Sequence, residues 1–182
     1  GIYIAKQSST VASITPIKSV HCTGATANFQ CSATYVEALT KTFGPRIAME
    51  TIKKEYAKRV DVVSNCHQLS HIIGNTAVDR YKGNIANAFK DGDSFCWSGY
   101  YHGVVERAVK DISESTFSTN ADLLCAAIPG KERYSFDYYN CVHGLGHGIM
   151  ALKDNELFAS LPLCDSLSGQ WERKSCYGGV FM

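Results

Sequence analysis

Five of the six histidines in this 182-residue chain lie a few residues after a cysteine, in stretches that resemble one another. Two of these stretches, 96–103 and 141–148, both read Cys-x-x-Gly-x-x-His-Gly. A partial copy begins at Cys176, and the stretch 66–71 is a looser relative. Imidazole is a common ligand of zinc, copper and iron, so this repeated motif predicts a transition-metal site.

The spacing of the possible ligands supports this prediction. Three pairs lie four residues apart: His67 and His71, His102 and Glu106, and His143 and His147. On a helix, residues i and i+4 share one face, so each pair can point at one ion. The alternative is that each histidine is a partly buried polar side chain with no metal-binding role.

These residues allow two alternative arrangements of a metal site. A mononuclear site would use His71, His102 and His147, with Glu106 as a fourth ligand or general base. Adding His67 and His143 would allow two metal ions. We expect zinc or copper, and iron less readily. Met150 and Met182 are either soft copper ligands or core residues, and core packing is the preferred interpretation.

Eight cysteines are many for a chain of this length, and their even number predicts four disulfides formed in an oxidising compartment. The absence of any Cys-x-x-Cys disfavours a zinc ribbon. A disulfide can join the end of one helix to the start of the next, and two pairs fit this pattern: Cys125 with Cys141, and Cys164 with Cys176. Two arrangements stay open for the other four cysteines. Either Cys22 pairs with Cys31 and Cys66 with Cys96, or Cys66 and Cys96 each pair with one of Cys22 and Cys31.

The periodicity predicts an all-α protein made of helical-hairpin (αα) repeats, about four in number and joined by disulfides. Residues 1–31 form an extended lead-in with a local cysteine pair, and residues 32–182 form a single repeat domain with a truncated C-terminus. The second helix of each hairpin is predicted to begin at a cysteine: Cys66, Cys96, Cys141 and Cys176.

Several helix boundaries follow from cap and breaker residues. Gly44 ends the first helix and Pro45 begins the second, which should continue to about Ser64. Asn65 would then cap the third helix. Further helices are predicted from Phe95 to Ile112, from a Thr119 or Asn120 cap to Ala127, from Asn140 to Lys153, from Asn155 to Leu167 and from Ser168 to Met182.

Glycine is frequent in the histidine motifs, although it is a poor helix former. The glycines concerned are Gly99, Gly103, Gly144, Gly146 and Gly148. Such a pattern predicts that neighbouring helices pack closely or, as the less favoured alternative, that another group lies against their backbone. The tyrosines Tyr100, Tyr101, Tyr138 and Tyr139 either pack in the core or line a pocket.

Composition restricts the function classes. The net charge is +1, and no basic face is present, so we expect no nucleic-acid partner and no charge-driven membrane binding. No apolar run is long enough for a signal peptide or a membrane span. Because the chain begins at Gly1 and ends inside a predicted helix, we expect a mature piece of a longer precursor. It would be extracytoplasmic (secreted, periplasmic or pseudoperiplasmic) or anchored to a membrane by a segment before Gly1.

Two functions compete. The first is an exported, disulfide-rich helical metalloprotein whose histidine-rich site catalyses metal-assisted hydrolysis or redox chemistry on an unknown small-molecule substrate. The second is a non-enzymatic helical-repeat subunit, with an interaction or structural role, of an extracytoplasmic or membrane-associated complex. Motifs for serine hydrolases, phosphate loops, dinucleotide binding and haem attachment are absent from the sequence.

Overall fold

The protein is all-helical in the part of the chain that the structure describes, as predicted. The computed structural model describes Cys22 and residues 28–182, and in them nine α-helices and no strands occur. The helices are α1 Phe29–Phe43, α2 Pro45–Tyr56, α3 Val60–Arg80, α4 Ile85–Lys90, α5 Gly99–Val109, α6 Glu114–Leu124, α7 Phe136–Leu152, α8 Leu157–Cys164 and α9 Gln170–Val180. A short 3-10 turn, Lys131–Arg133, precedes α7. The predicted lead-in up to His21 lies outside the described residues.

The boundary between α1 and α2 follows the predicted signals. Gly44 ends α1 with φ of 94°, a conformation that glycine adopts without steric cost. Pro45 is the first residue of α2, where its missing N–H costs no hydrogen bond. At the other end of α1, the Asn28 side chain accepts a hydrogen bond from the Cys31 N–H. Helix α1 therefore begins at Phe29, and residues 29–31 are helical rather than part of an extended lead-in.

The boundary between α2 and α3 differs from the prediction. Helix α2 ends at Tyr56, and α3 begins at Val60, so Asn65 does not cap it. Arg59 adopts an extended conformation and donates hydrogen bonds to Asp61 and to the Ser32 hydroxyl of α1. No glycine or proline lies at this break. The contact of Arg59 with α1 accounts for it instead.

Three other helix starts are also corrected. Helix α5 begins at Gly99 rather than Phe95, because the residues before it have left-handed φ angles of 59°, 53° and 61° at Cys96, Trp97 and Ser98. Helix α6 begins at Glu114, where the Ser113 hydroxyl accepts from the Thr116 N–H. Helix α7 begins at Phe136 rather than Asn140, and the Ser135 hydroxyl accepts from the Tyr138 N–H at this start.

The motif cysteines are not helix starts. Cys66, Cys141 and Cys176 lie inside α3, α7 and α9, and Cys96 lies just before α5.

The three most extensive contacts between helices place α3, α5, α7 and α9 in a row. Helix α3 packs on α5, α5 on α7, and α7 on α9. Helices α1 and α2 cover α3, α4 packs on α5, and α8 contacts α7 and α9. The row carries much of the buried core, including Ile73, Tyr100, Val104, Leu145 and Ile149.

Glycines allow these helices to touch backbone to backbone. A Cβ at Gly103 of α5 would overlap the His71 carbonyl oxygen of α3, and one at Gly179 of α9 would overlap the His143 carbonyl oxygen of α7. Gly146 of α7 faces the Cys176 carbonyl oxygen in the same way. The predicted close packing of neighbouring helices is therefore confirmed.

Four disulfides join successive segments of the chain, as the cysteine count predicted. The pairs are Cys22–Cys31, Cys66–Cys96, Cys125–Cys141 and Cys164–Cys176, with Cα–Cα distances from 5.6 to 5.9 Å. The open choice for Cys66 and Cys96 is thus resolved, since they pair with each other. Among the described residues, no helix is both long and apolar enough to cross a membrane.

Candidate metal centre

Five histidines from three neighbouring helices meet in one cluster. Helix α3 supplies His67 and His71, α5 supplies His102, and α7 supplies His143 and His147. Neighbouring rings in the cluster have centroids 4.4 to 5.7 Å apart. The i,i+4 spacing places each pair on one face, and the row of helices brings those faces together.

The cluster divides into two sets of three possible ligands. The outer trio is His67, His71 and His102, and the inner trio is His102, His143 and His147; within each trio the ligand atoms lie within 4.8 Å of one another. The predicted mononuclear set of His71, His102 and His147 is therefore split between the two. A neutral imidazole has one nitrogen lone pair, so His102 can serve one trio at a time.

Hydrogen bonds fix the orientation of the outer rings. His67 Nδ1 lies 2.9 Å from the Cys96 carbonyl oxygen, and His71 Nδ1 lies 3.0 Å from a Glu106 carboxylate oxygen. Because these oxygens only accept hydrogen bonds, both Nδ1 atoms must carry the proton. In the neutral rings the lone pairs are then on Nε2.

The two Nε2 atoms of this pair face each other. His71 Nε2 lies 3.1 Å from His67 Nε2. Two neutral acceptors at this distance repel unless a proton or a cation lies between them. Two imidazole nitrogens bound to one tetrahedral ion at about 2.0–2.1 Å would be about 3.3–3.4 Å apart, which is close to the separation here. The outer pair is therefore arranged as metal ligands are.

The inner trio contains buried nitrogen atoms that lack partners. His102 Nδ1 and His147 Nε2 are buried and have no hydrogen-bond partner among the described residues. Such atoms are rare in folded proteins because burying an unpaired polar atom costs free energy. The Tyr139 hydroxyl lies 3.4 Å from His143 Nδ1. Each of these atoms can supply a lone pair to an ion when its ring carries the proton on the other nitrogen.

Burial keeps these rings neutral. Desolvation, followed by the neighbouring histidines, lowers the pKa of His102 to about 2 and that of His147 to about 3. Desolvation also lowers the pKa of His67 and of His143 below the ordinary value for histidine. At neutral pH these four rings therefore have the uncharged form that metal binding requires.

Glu106 follows His102 by one turn of α5, as predicted, but its carboxylate contacts His71 of α3. Neither trio includes a carboxylate. A carboxylate that accepts from the Nδ1–H of a metal-binding histidine fixes the ring orientation and makes the other nitrogen more basic. The predicted role of Glu106 as a ligand or general base stays a prediction beside this observed contact.

Two histidines of the outer trio, His67 and His71, and His147 of the inner trio border an open cleft of about 440 Å³. Its lining residues are Phe29, His67, Gln68, His71, Ile72, Glu106, His147 and Met182. Sequence analysis did not select Phe29, Gln68 or Ile72, although the last two directly follow the α3 histidines in sequence. The Cys96 carbonyl was also missed, because a main-chain acceptor leaves no signal in residue type.

The other candidate residues have structural positions. Met150 packs against the core, as the preferred interpretation held, whereas Met182 is 65% exposed at the cleft. Tyr100, Tyr101 and Tyr138 are buried. Only Tyr139, of the four tyrosines considered, lies beside the cluster.

No known protein family, curated protein or solved structure matches this chain. The chemistry of the cluster is therefore the basis for inferring a function. All eight cysteines are disulfide-bonded, so thiolate ligands are absent and the imidazole nitrogens are the strong donors. Imidazole donors suit zinc, copper and iron. The four disulfides indicate an oxidising, extracytoplasmic compartment.

Proposed function

We propose that this protein is an exported metalloprotein that binds one zinc or copper ion through the outer trio. The observation that carries the proposal is the opposed pair of Nε2 atoms of His67 and His71, which are 3.1 Å apart while both Nδ1 atoms donate elsewhere. His102 completes the trio from the neighbouring helix. Ligands on two helices joined by the Cys66–Cys96 disulfide are held close before an ion arrives.

A shared proton is the competing explanation for the short Nε2–Nε2 distance. It would make one ring a cation in a cluster where burial and neighbouring histidines lower the pKa of His67. It would also leave His102, whose buried Nδ1 has no hydrogen-bond partner among the described residues, outside the shared contact. An ion satisfies several nitrogen atoms at once, which favours the metal.

The chemistry proposed for the bound ion is metal-assisted hydrolysis of a small molecule, with redox chemistry if the ion is copper. Three imidazoles around zinc leave a fourth position for water, whose pKa the ion lowers towards neutrality. Glu106 would hold the His71 ring in place, and it is also close enough to the cleft to act on a bound water.

The decisive experiment is a zinc titration of the metal-free protein, followed by elemental analysis after desalting. Wild type should retain about one equivalent of zinc, and the variants His67→Gln and His71→Gln should lose it. The loss of zinc affinity should exceed the 10- to 100-fold loss that is typical when a hydrogen-bond partner of a metal-binding residue is removed.

His143→Gln is the matched control, since it makes the same substitution in the inner trio. It should still bind zinc through the outer trio. A folded wild-type protein that binds no zinc, copper or iron would rule out the proposed function. Loss of binding in His143→Gln but not in His67→Gln would instead place the ion in the inner trio.

The protein would be a helical-repeat protein located outside the cytoplasm. Helices α3, α5, α7 and α9 would be the second helices of αα-hairpin repeats, an arrangement supported by their side-by-side packing. Export, as a secreted, periplasmic or pseudoperiplasmic protein or one anchored to a membrane, is supported by the four disulfides. The proposed partner is a small molecule rather than nucleic acid, which a net charge of +1 supports.

A second candidate is a subunit of an extracytoplasmic or membrane-associated complex. It is favoured by large apolar side chains that face solvent, among them Phe158 at 84% and Trp97 at 69% exposure. Size-exclusion chromatography with light scattering of wild type and of a Trp97→Ser, Phe158→Ser variant tests self-association. A monomer in both cases would remove support for a complex of this chain with itself.

A further inference from the structure

We infer that the cleft beside the outer trio binds a small organic monocarboxylate, whose carboxylate takes the free coordination position of the ion. This inference rests on the proposed function, because the ion supplies the positive charge. The cleft is bordered by His67, His71 and His147 and has a volume of about 440 Å³, enough for a small organic molecule.

The cleft lies beside two members of the outer trio. Three imidazole ligands would occupy three of the four positions of a tetrahedral ion, and sites with three protein ligands keep the fourth for water or substrate. His67 and His71 are only partly buried and line the cleft, whereas His102 is 2% exposed and does not line it. An incoming ligand would therefore approach the ion from the cleft.

Charge selects a monoanion for this position. A divalent ion bound by three imidazoles would carry two positive charges, because an imidazole must be neutral to coordinate a metal ion. Glu106 is the one charged side chain, apart from histidine, among the residues that line the cleft. With its carboxylate 3.0 Å from His71, the site keeps about one net positive charge, which a monoanion neutralises and a dianion exceeds.

The other lining residues indicate an apolar body on the ligand. Phe29 is 40% exposed and Ile72 is partly buried, so both present apolar surface to the cleft. Gln68 offers an amide N–H₂ that can donate to the second carboxylate oxygen. A carboxylate attached to a small ring or branched chain fits both the charge and the surface.

The test uses cobalt(II), whose visible absorption reports a change of ligand at the ion. Benzoate should change the spectrum of the cobalt-loaded protein and bind about tenfold more tightly than acetate, because its ring covers apolar surface of the cleft. Phosphate, largely a dianion at pH 8, should bind more weakly than benzoate.

Three variants make the test specific. Phe29→Ala should lose most of the preference for benzoate over acetate while keeping the acetate response. Phe158→Ala, a matched change of an exposed phenylalanine that does not line the cleft, should behave as wild type. His143→Gln should keep the full spectral response to benzoate and acetate, since the proposed ion is bound by the outer trio.

The outcomes separate the two proposals. Failure to bind cobalt, zinc or copper overturns the proposed function itself. Binding of cobalt without any spectral response to carboxylates overturns only the ligand inference. Equal affinity for acetate and benzoate, or tighter binding of phosphate than of benzoate, also overturns it.

Discussion

The backbone carbonyl of His71 in α3 occupies the space where a side chain at Gly103 of α5 would begin. His71 and His102 therefore belong to backbone segments in direct contact, which places their rings 5.5 Å apart. Gly103 thus determines how closely the two histidine-bearing helices approach, although it contributes no side chain to the cluster.

We expect Gly103→Ala to destabilise the protein and weaken zinc binding together. The added Cβ would meet the carbonyl oxygen, carbonyl carbon and Cα of His71, and none of these backbone atoms can move without shifting α3. Overpacking of this kind costs about 1–3 kcal/mol in free energy of unfolding. Urea denaturation of the metal-free protein and a zinc titration measure the two effects.

Gly178→Ala in α9 is the matched control. Its Cβ would lie 3.4 Å from His143 Nδ1, an ordinary contact distance, and alanine favours the helix by about 1 kcal/mol over glycine. This variant should be as stable as wild type or more so, with unchanged zinc affinity. Equal destabilisation by both substitutions would show that the close approach of α3 and α5 at Gly103 is not the cause.

Glu106→Gln should weaken zinc binding by about 10- to 100-fold while leaving the fold intact. Glutamine can still accept the hydrogen bond from His71 Nδ1, but it lacks the charge that makes the opposite nitrogen more basic. Isothermal titration calorimetry measures the change. Glu132→Gln, at an exposed position in the 3-10 turn, should have no effect.

The comparison with Glu106→Ala separates orientation from charge. Alanine removes both the acceptor and the charge, so its affinity should be lower than that of Glu106→Gln. Zinc binding unchanged in both variants would contradict the proposed role of Glu106 in positioning His71.

The histidines that form the cluster were predictable from sequence, but their grouping was not. The i,i+4 spacing of His67 and His71 fixes their shared face, because one helix determines both positions. The division into an outer and an inner trio depends on how α3, α5 and α7 pack, which residue spacing does not encode. The contact between Glu106 and His71 was hidden for the same reason, since it joins residues 35 positions apart.

Helix boundaries likewise divide into those that the local sequence determines and those that contacts between distant segments determine. Gly44 and Pro45 act through their own backbone preferences, and the boundary they mark was predicted correctly. The break before α3 depends on Arg59 reaching Ser32 of α1, and the left-handed turn before α5 contains Cys96, whose partner Cys66 lies in α3. Contacts between distant segments determine both, so local signals missed them.

The stability of the metal-free protein should fall as the pH is lowered from about 6.5. Burial lowers the pKa of His102 to about 2 and that of His147 to about 3, so at pH 5 the unfolded chain binds protons that the folded protein does not. Each such histidine contributes a slope of about 1.4 kcal/mol per pH unit below the pKa of the unfolded chain. Urea denaturation at pH 8, 6.5, 5.5 and 5 measures it.

His102→Gln should reduce this slope, because it removes one of the titrating groups. Zinc should steepen the pH dependence further, since ion binding also requires neutral rings. Stability independent of pH between 8 and 5 in wild type would contradict the burial of neutral histidines.

Replacement of the Cys66–Cys96 disulfide by two serines should weaken both stability and metal binding. Loss of this link, with a sequence separation of 30, should cost about 3.6 kcal/mol in the chain-entropy description. It also releases the left-handed segment whose Cys96 carbonyl accepts from His67 Nδ1, so the His67 ring loses its fixed orientation. Urea denaturation and zinc titration report the two losses separately.

The Cys22–Cys31 pair provides the control for this prediction. Its sequence separation of 9 corresponds to about 2.6 kcal/mol, and among the described residues neither cysteine forms a hydrogen bond with the histidine cluster. Its double serine variant should therefore lose stability and keep the zinc affinity of the wild type. If both variants lost zinc affinity equally, general destabilisation would account for the effect and the Cys96 carbonyl would have no specific role in orienting His67.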